Sequence, residues 1–96
     1  MITSDREPRI RIAEAMRCAL EQLAGLLGRA PESVSAMEPT DQGWEADVEV
    51  VEVERIPETT SVMASYHVVL DQEGKLQSYR RGRRYTRAQV DRRDGR

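Results

Sequence analysis

The spacing of apolar side chains changes from a helical period to a strand period within the first half of the chain, and Pro31 marks the change. Ile12, Met16, Leu20, Leu23 and Leu27 recur at steps of four, four, three and four, which gathers them within about a quarter turn on a helix. Pro8 suits the first turn of such a helix, and Gly28 followed by Pro31 suits its end, so the pattern predicts a helix over residues 8–27. Arg11, Glu14, Cys18 and Glu21 would point away from its apolar stripe. Beyond Pro31, Trp44, Ala46, Val48 and Val50 alternate with Glu45, Asp47 and Glu49, giving a strand with one apolar and one acidic face.

The alternation slips at Val50-Val51, where either a bulge re-aims the chain or both faces become partly covered. Val62, Ala64, Tyr66, Val68 and Leu70 then share one side of a second strand, with Met63, Ser65, His67 and Val69 on the other. An antiparallel connection centred near Glu58 pairs Val53 with Met63, Val50 with Tyr66, Val48 with Val68 and Ala46 with Leu70. Asp71-Gln72-Glu73-Gly74 reads as a type I turn closed by a left-handed glycine, which returns the chain as a run from Lys75 to about Arg87 and sets Leu76 opposite Leu70. Ser33 to Glu38 adds a short strand before Trp44. The fold expected is α+β: one N-terminal amphipathic helix packed on a three- to four-stranded antiparallel meander sheet. Residues 8–87 form its single domain, between a flexible N-terminus at 1–7 and a flexible basic tail at 88–96.

The core available to this fold is thin. The chain has 9 Val, 6 Leu, 4 Ile and 4 Met, one Trp, three Tyr and no Phe among 96 residues, which excludes a transmembrane span and a multi-domain enzyme. A single Cys18 excludes an internal disulfide, and no basic segment followed by an apolar signal core opens the chain; a reducing, cytoplasmic setting is expected. The net charge of −2 conceals a division: residues 1–79 carry 7 basic and 15 acidic residues, whereas residues 80–96 carry 8 Arg and only Asp91 and Asp94. The two segments therefore prefer partners of opposite charge.

No residue pattern for catalysis, metal or nucleotide binding is present, so neither an enzymatic activity nor a cofactor is expected. Ser65 and His67 share a strand face with no acid evidently placed to orient the imidazole. Cys18, near Glu14 and Glu21, is expected to be an inert outward thiol. Glu45, Asp47, Glu49, Glu52, Glu54 and Glu58 read as the solvated side of an amphipathic strand rather than a cation site. Val51, Val53, Met63, Val69, Tyr79 and Tyr85 fall opposite the helix-covered face. One helix cannot cover both sides, so part of that second face is expected to bury itself against another protein or another copy, as a homodimer.

The segment from Tyr79 to Arg87 is the most unusual. Continued as a strand, it sets Tyr79, Arg81, Arg83 and Tyr85 on one face, and rings interleaved with guanidinium groups suit single-stranded nucleic acid. The alternative is an edge strand whose arginines meet acids of this domain or of a protein partner. The sequence pI of about 5.4 weighs against a dedicated nucleic-acid binder.

Taken in order, several fragments resemble the gas vesicle protein O family: Gly28-Arg29-Ala30-Pro31-Glu32-Ser33-Val34, Gly43-Trp44, Arg55-Ile56-Pro57-Glu58-Thr59, Ala64-Ser65-Tyr66-His67-Val68, and Tyr79-Arg80-Arg81-Gly82-Arg83-Arg84-Tyr85. The resemblance runs from about residue 12 to residue 87 and departs mainly at His67, where an acid is expected. It implies a small cytoplasmic, non-enzymatic accessory factor for building gas vesicles, associated with other minor gas vesicle proteins and in particular the AAA-type ATPase protein N. The residues proposed to meet a partner are Ile56, Pro57 and Thr59 of the loop and Tyr79, Arg80, Arg81, Arg83, Arg84, Tyr85 and Arg87 of the basic segment.

Overall fold

The computed structural model describes residues 9–88 and places helix α1 (Ile12–Leu27) before strands β1 (Ser33–Thr40), β2 (Gly43–Val53), β3 (Val62–Asp71) and β4 (Leu76–Thr86). The strands form one antiparallel sheet in the order β1-β2-β3-β4, so β1 and β4 are its edges. This is the α+β meander that the sequence implies, with the Ser33 run a full strand. The segments expected to be flexible, 1–7 and 88–96, lie outside the described residues but for residue 88.

The helix starts later than Pro8 because residues 9 and 10 are held by the sheet. The Ile10 N–H donates to the Gln72 carbonyl at 3.1 Å. Arg9 donates to the Gly43 carbonyl at 3.2 Å and sets its guanidinium 5.5 Å from the centre of the Trp44 ring. The helix is also rotated from the expected stripe. Ala15, Ala19 and Leu23 are fully buried, whereas Ile12 is 50% exposed and Leu26 53%. The small alanines let the helix backbone settle close to the sheet, where apolar contacts are densest. Cys18 consequently packs partly buried against the core rather than pointing outward. The adjacent Gln22 ties helix to sheet with both ends of its amide: Nε2 donates to the Gly74 carbonyl at 2.6 Å, and Oε1 accepts from the Leu76 N–H at 2.9 Å.

Under the helix lie Trp44, Ala46, Val48 and Val50 of β2 with Ala64, Tyr66, Val68 and Leu70 of β3. The β2–β3 register differs from expectation by two residues: Trp44 pairs with Leu70, Ala46 with Val68, Val48 with Tyr66 and Val50 with Ala64. A shift of two leaves every side chain on its face, so the core residues are those expected although their partners are not. A bulge between Val51 and Val53 then changes the register by one residue, so that Val53 pairs with Val62. At the start of β2, Gly43 runs so close to β3 that a Cβ there would meet the Leu70 carbonyl oxygen at 2.1 Å. Gly74 closes the β3–β4 turn with a φ of 91°, and a Cβ there would meet Ile10 and Cys18 within 3 Å. Leu76 pairs with Leu70 as expected.

Candidate interaction site

The loop between β2 and β3 is short, polar and closely tied. A 3-10 turn spans Glu58–Thr60, and the Ile56-Pro57 peptide is cis. The Pro57 carbonyl accepts from the Thr60 N–H at 3.0 Å and from the Thr60 hydroxyl at 2.7 Å. The Ser61 hydroxyl, on a residue only 3% exposed, accepts from the Arg55 N–H at 3.1 Å. The Ser61 carbonyl takes the Arg87 N–H at 3.1 Å. These bonds fix the loop while leaving Ile56 99% exposed. Pro57 and Thr59 are exposed beside it. Val51, Ile56, Ser61 and Arg87 line a hollow of about 530 Å³ together with Glu54, Arg55 and Glu58. Arg87 is anchored across this hollow, giving two hydrogen bonds to Glu32 at 2.8 and 2.9 Å and lying 3.5 Å from Glu58. Its guanidinium holds the Glu32 carboxyl below the usual carboxylate range.

The basic segment is not one surface. The β3–β4 register shifts between Ala64 and Tyr66, which pair with Arg84 and Arg81 respectively, so one extra residue of β4 is accommodated beside Gly82. The bulge reverses the alternation. Tyr79, Arg81 and Arg84 therefore stand on the helix side, opposite Val68, Tyr66 and Ala64, whereas Arg80 and Tyr85 stand on the other side, opposite His67 and Met63. Arg83 accompanies Tyr85, its guanidinium 4.8 Å from the ring centre. The single row of Tyr79, Arg81, Arg83 and Tyr85 expected for stacking bases is not formed.

On the helix side the organising residue is Glu52, whose side chain is 13% exposed at the β2 bulge. It accepts from the Tyr66 hydroxyl at 3.0 Å and from Arg81 at 3.1 Å, and the Arg84 Nε lies 3.1 Å away. Burial pushes its carboxyl up, but the Arg81 and Tyr66 hydrogen bonds outweigh this and hold it below the usual range. Glu52 is thus not part of a solvated acidic face. The Val50-Val51 slip was the sequence signal for this bulge; nothing in the pattern showed which acid it would turn inward.

On the open side the acids of β2 are engaged as well. His67 lies between two of them, Nδ1 2.9 Å from Asp47 and Nε2 3.2 Å from Glu45, so this imidazole does have orienting acids. Glu49 accepts from the hydroxyls of Ser35, Ser65 and Tyr85. Burial, then the bond to Glu49, pushes the Tyr85 phenol well above its ordinary range. The apolar second face expected for a homodimer is correspondingly reduced. Tyr79 belongs to the helix side, its ring 6.4 Å from that of Tyr66, and Val53 pairs there with Val62. Met63 is 4% and Tyr85 9% exposed within the chain itself.

Among the described residues there is no group of three or more His, Cys, Asp or Glu arranged to hold a metal ion. No helix among them is long and apolar enough to cross a membrane.

Comparison with known proteins returns one family. Gas vesicle protein O of a Streptomyces species is 52% identical over 77 residues, covering 80% of this chain and 60% of that protein. Gas vesicle protein O1 of Halobacterium salinarum is 32% identical over 79 residues, covering 82% of this chain and 66% of that protein. The chain thus matches about three-fifths to two-thirds of the length of these relatives. No solved structure matches. Residues 2–91 match the family described as Gas vesicle synthesis protein GvpO, and the chain belongs to that family.

Proposed function

We propose that this protein is a non-enzymatic accessory factor of gas vesicle assembly. It acts in the cytoplasm, on nascent vesicles, as a charge-segregated adaptor for other gas vesicle proteins, with the AAA-type ATPase protein N as its foremost partner. The names of its relatives support the process. The adaptor reading rests on one observation: a loop braced by four hydrogen bonds among its own backbone and hydroxyl groups presents an isoleucine with 99% of its surface in water. An apolar side chain carried on a fixed backbone leaves only its own rotamers to be ordered on docking, which suits an interface anchor. Pro57 and Thr59 flank this anchor, and Arg55 and Arg87, with Glu54 and Glu58, supply the charged wall of the hollow beside it. Arg80 and Arg83, on the open side of edge strand β4, add a basic surface to this contact, whereas Arg81 and Arg84 stand on the helix side, away from it.

The test is a pull-down of protein N and a count of vesicles in a gas vesicle-forming host, comparing the wild type with Ile56→Glu and with Arg80→Glu/Arg83→Glu. Loss of capture and of vesicles with an unchanged melting temperature supports the reading. Normal capture and normal vesicle numbers in both variants overturn it. Sedimentation of the purified chain decides whether a second copy is itself a partner.

A further inference from the structure

Past the C-terminal end of α1, on the helix side of the sheet, Leu27, Arg29, Val50, Glu52, Val53, Tyr66 and Arg84 enclose a niche of about 320 Å³. Its position follows from three local devices. The helix stops at Gly28, whose N–H donates to the Ala24 carbonyl. Arg29 then reaches over β2, its Nη1 donating to the carbonyls of Val51 at 2.7 Å and Glu52 at 2.8 Å. The β2 bulge turns Glu52 inward, and the β4 bulge brings Arg84 and Arg81 to this side.

The niche already holds one carboxylate. Glu52 meets Tyr66, Arg81 and Arg84 within 3.1 Å. Two guanidinium groups, of Arg81 and Arg84, meet that single acid, while that of Arg29 sits on the Val51 and Glu52 main-chain carbonyls, and among the described residues none of the three pairs with any other acid. Among the described residues Arg84 engages Glu52 through Nε and Arg29 uses Nη1, so both have terminal N–H groups that no described residue takes up. Leu27, Val50 and Val53 supply apolar wall next to these donors.

We propose that this niche binds an acidic side chain of a partner polypeptide, a glutamate or aspartate flanked by an apolar residue. A guanidinium group offers paired donors in the geometry a carboxylate accepts, and such charge-assisted bonds are about twice as strong as neutral ones. The adjoining valine and leucine surface gives the flanking side chain a place to leave water. The excess of two positive charges calls for more than the one acid that Glu52 provides, and an acidic segment supplies it. This surface lies on the opposite side of the sheet from Arg80 and Arg83, so it holds or fails independently of the adaptor reading.

The experiment is fluorescence anisotropy of the full chain with a fluorescein-labelled, C-terminally amidated peptide of alternating glutamate and leucine, against the same peptide carrying glutamine. Expected are saturable binding of the glutamate peptide with a Kd below about 1 mM, weakening as salt rises, and little binding of the glutamine peptide. Arg29→Gln and Arg84→Gln should each weaken binding by about five-fold or more, whereas Glu52→Gln, which removes the resident competitor, should tighten it by about three-fold. Ile56→Glu and Arg80→Gln should leave it unchanged. If Arg84→Gln lowers the melting temperature, Arg29→Gln and the opposite response of Glu52→Gln carry the test. Absence of saturable binding, equal binding of the glutamine peptide, or full binding by Arg29→Gln overturns the proposal.

Discussion

Tyr79 and Tyr85, six residues apart on one strand, lie on opposite faces of the sheet. Tyr79 packs against Tyr66 beside the helix and is 43% exposed. Tyr85 is buried on the other side with its hydroxyl on Glu49. A regular strand would have set both on one face; the bulge beside Gly82 separates them, and it turns one basic segment into two distinct basic surfaces.

Tyr85→Phe should lower stability by about 1 to 2 kcal/mol, because it leaves one oxygen of a partly buried carboxylate without its donor. The phenol's folded pKa lies above its unfolded value of about 10. Its contribution is therefore complete below about pH 10 and is lost as pH rises beyond that. Urea unfolding of the wild type should weaken from about pH 9.5 to 11.5, and the variant should weaken less over that window. Equal slopes for the two proteins would reject the assignment.

The phase of the helix is directly testable. Leu23→Ala, at a fully buried position, should cost about 3 kcal/mol. Ile12→Ala, at a half-exposed position in the same apolar stripe, should cost less than about 1 kcal/mol. Thermal melts showing comparable losses would return the helix to the orientation its stripe suggested.

On the acid side, Glu32 has a folded pKa below the ordinary value of 4.5 because of its hydrogen bonds to Arg87, and Glu52 is lowered by Arg81 and Tyr66 against its burial. Both contribute stability that is present above pH 4.5 and lost as pH falls below it. Glu32→Gln should be less stable than the wild type at about pH 6 and should lose less on acidification to about pH 3. Denaturant titrations at the two pH values measure both quantities, and a parallel loss in the two proteins would exclude the Glu32–Arg87 tie as a source of acid sensitivity.

The order of elements was legible because it depends on local patterns. The four-three spacing from Ile12 to Leu27 requires a helix, and the alternation from Trp44 to Val50 requires a strand with its acids on one side. Gly74 marked its turn because a left-handed residue was needed there. The same patterns are blind to displacements that preserve them. Shifting β2 against β3 by two residues changes every partner and no face, so Val48 met Tyr66 instead of Val68 without disturbing the alternation. The phase of the helix escaped for a similar reason: size marks the stripe, but close approach to the sheet favours the smaller Ala15 and Ala19.

The sequence alone determined that this chain makes one helix and an antiparallel sheet, that its charges divide along its length, and which family its motifs resemble. Tertiary structure alone decided where those charges meet. The slip at Val50-Val51 signalled the bulge at Val51-Val53 but not which acid it turns inward, and the bulge beside Gly82 arises from how β4 fits β3. The bulges brought Glu52 against two arginines of β4, Arg81 and Arg84, and left Arg80 and Arg83 on the far side. Side chains distant in sequence become partners only when the backbone that carries them is fixed, and here two inserted residues fix it.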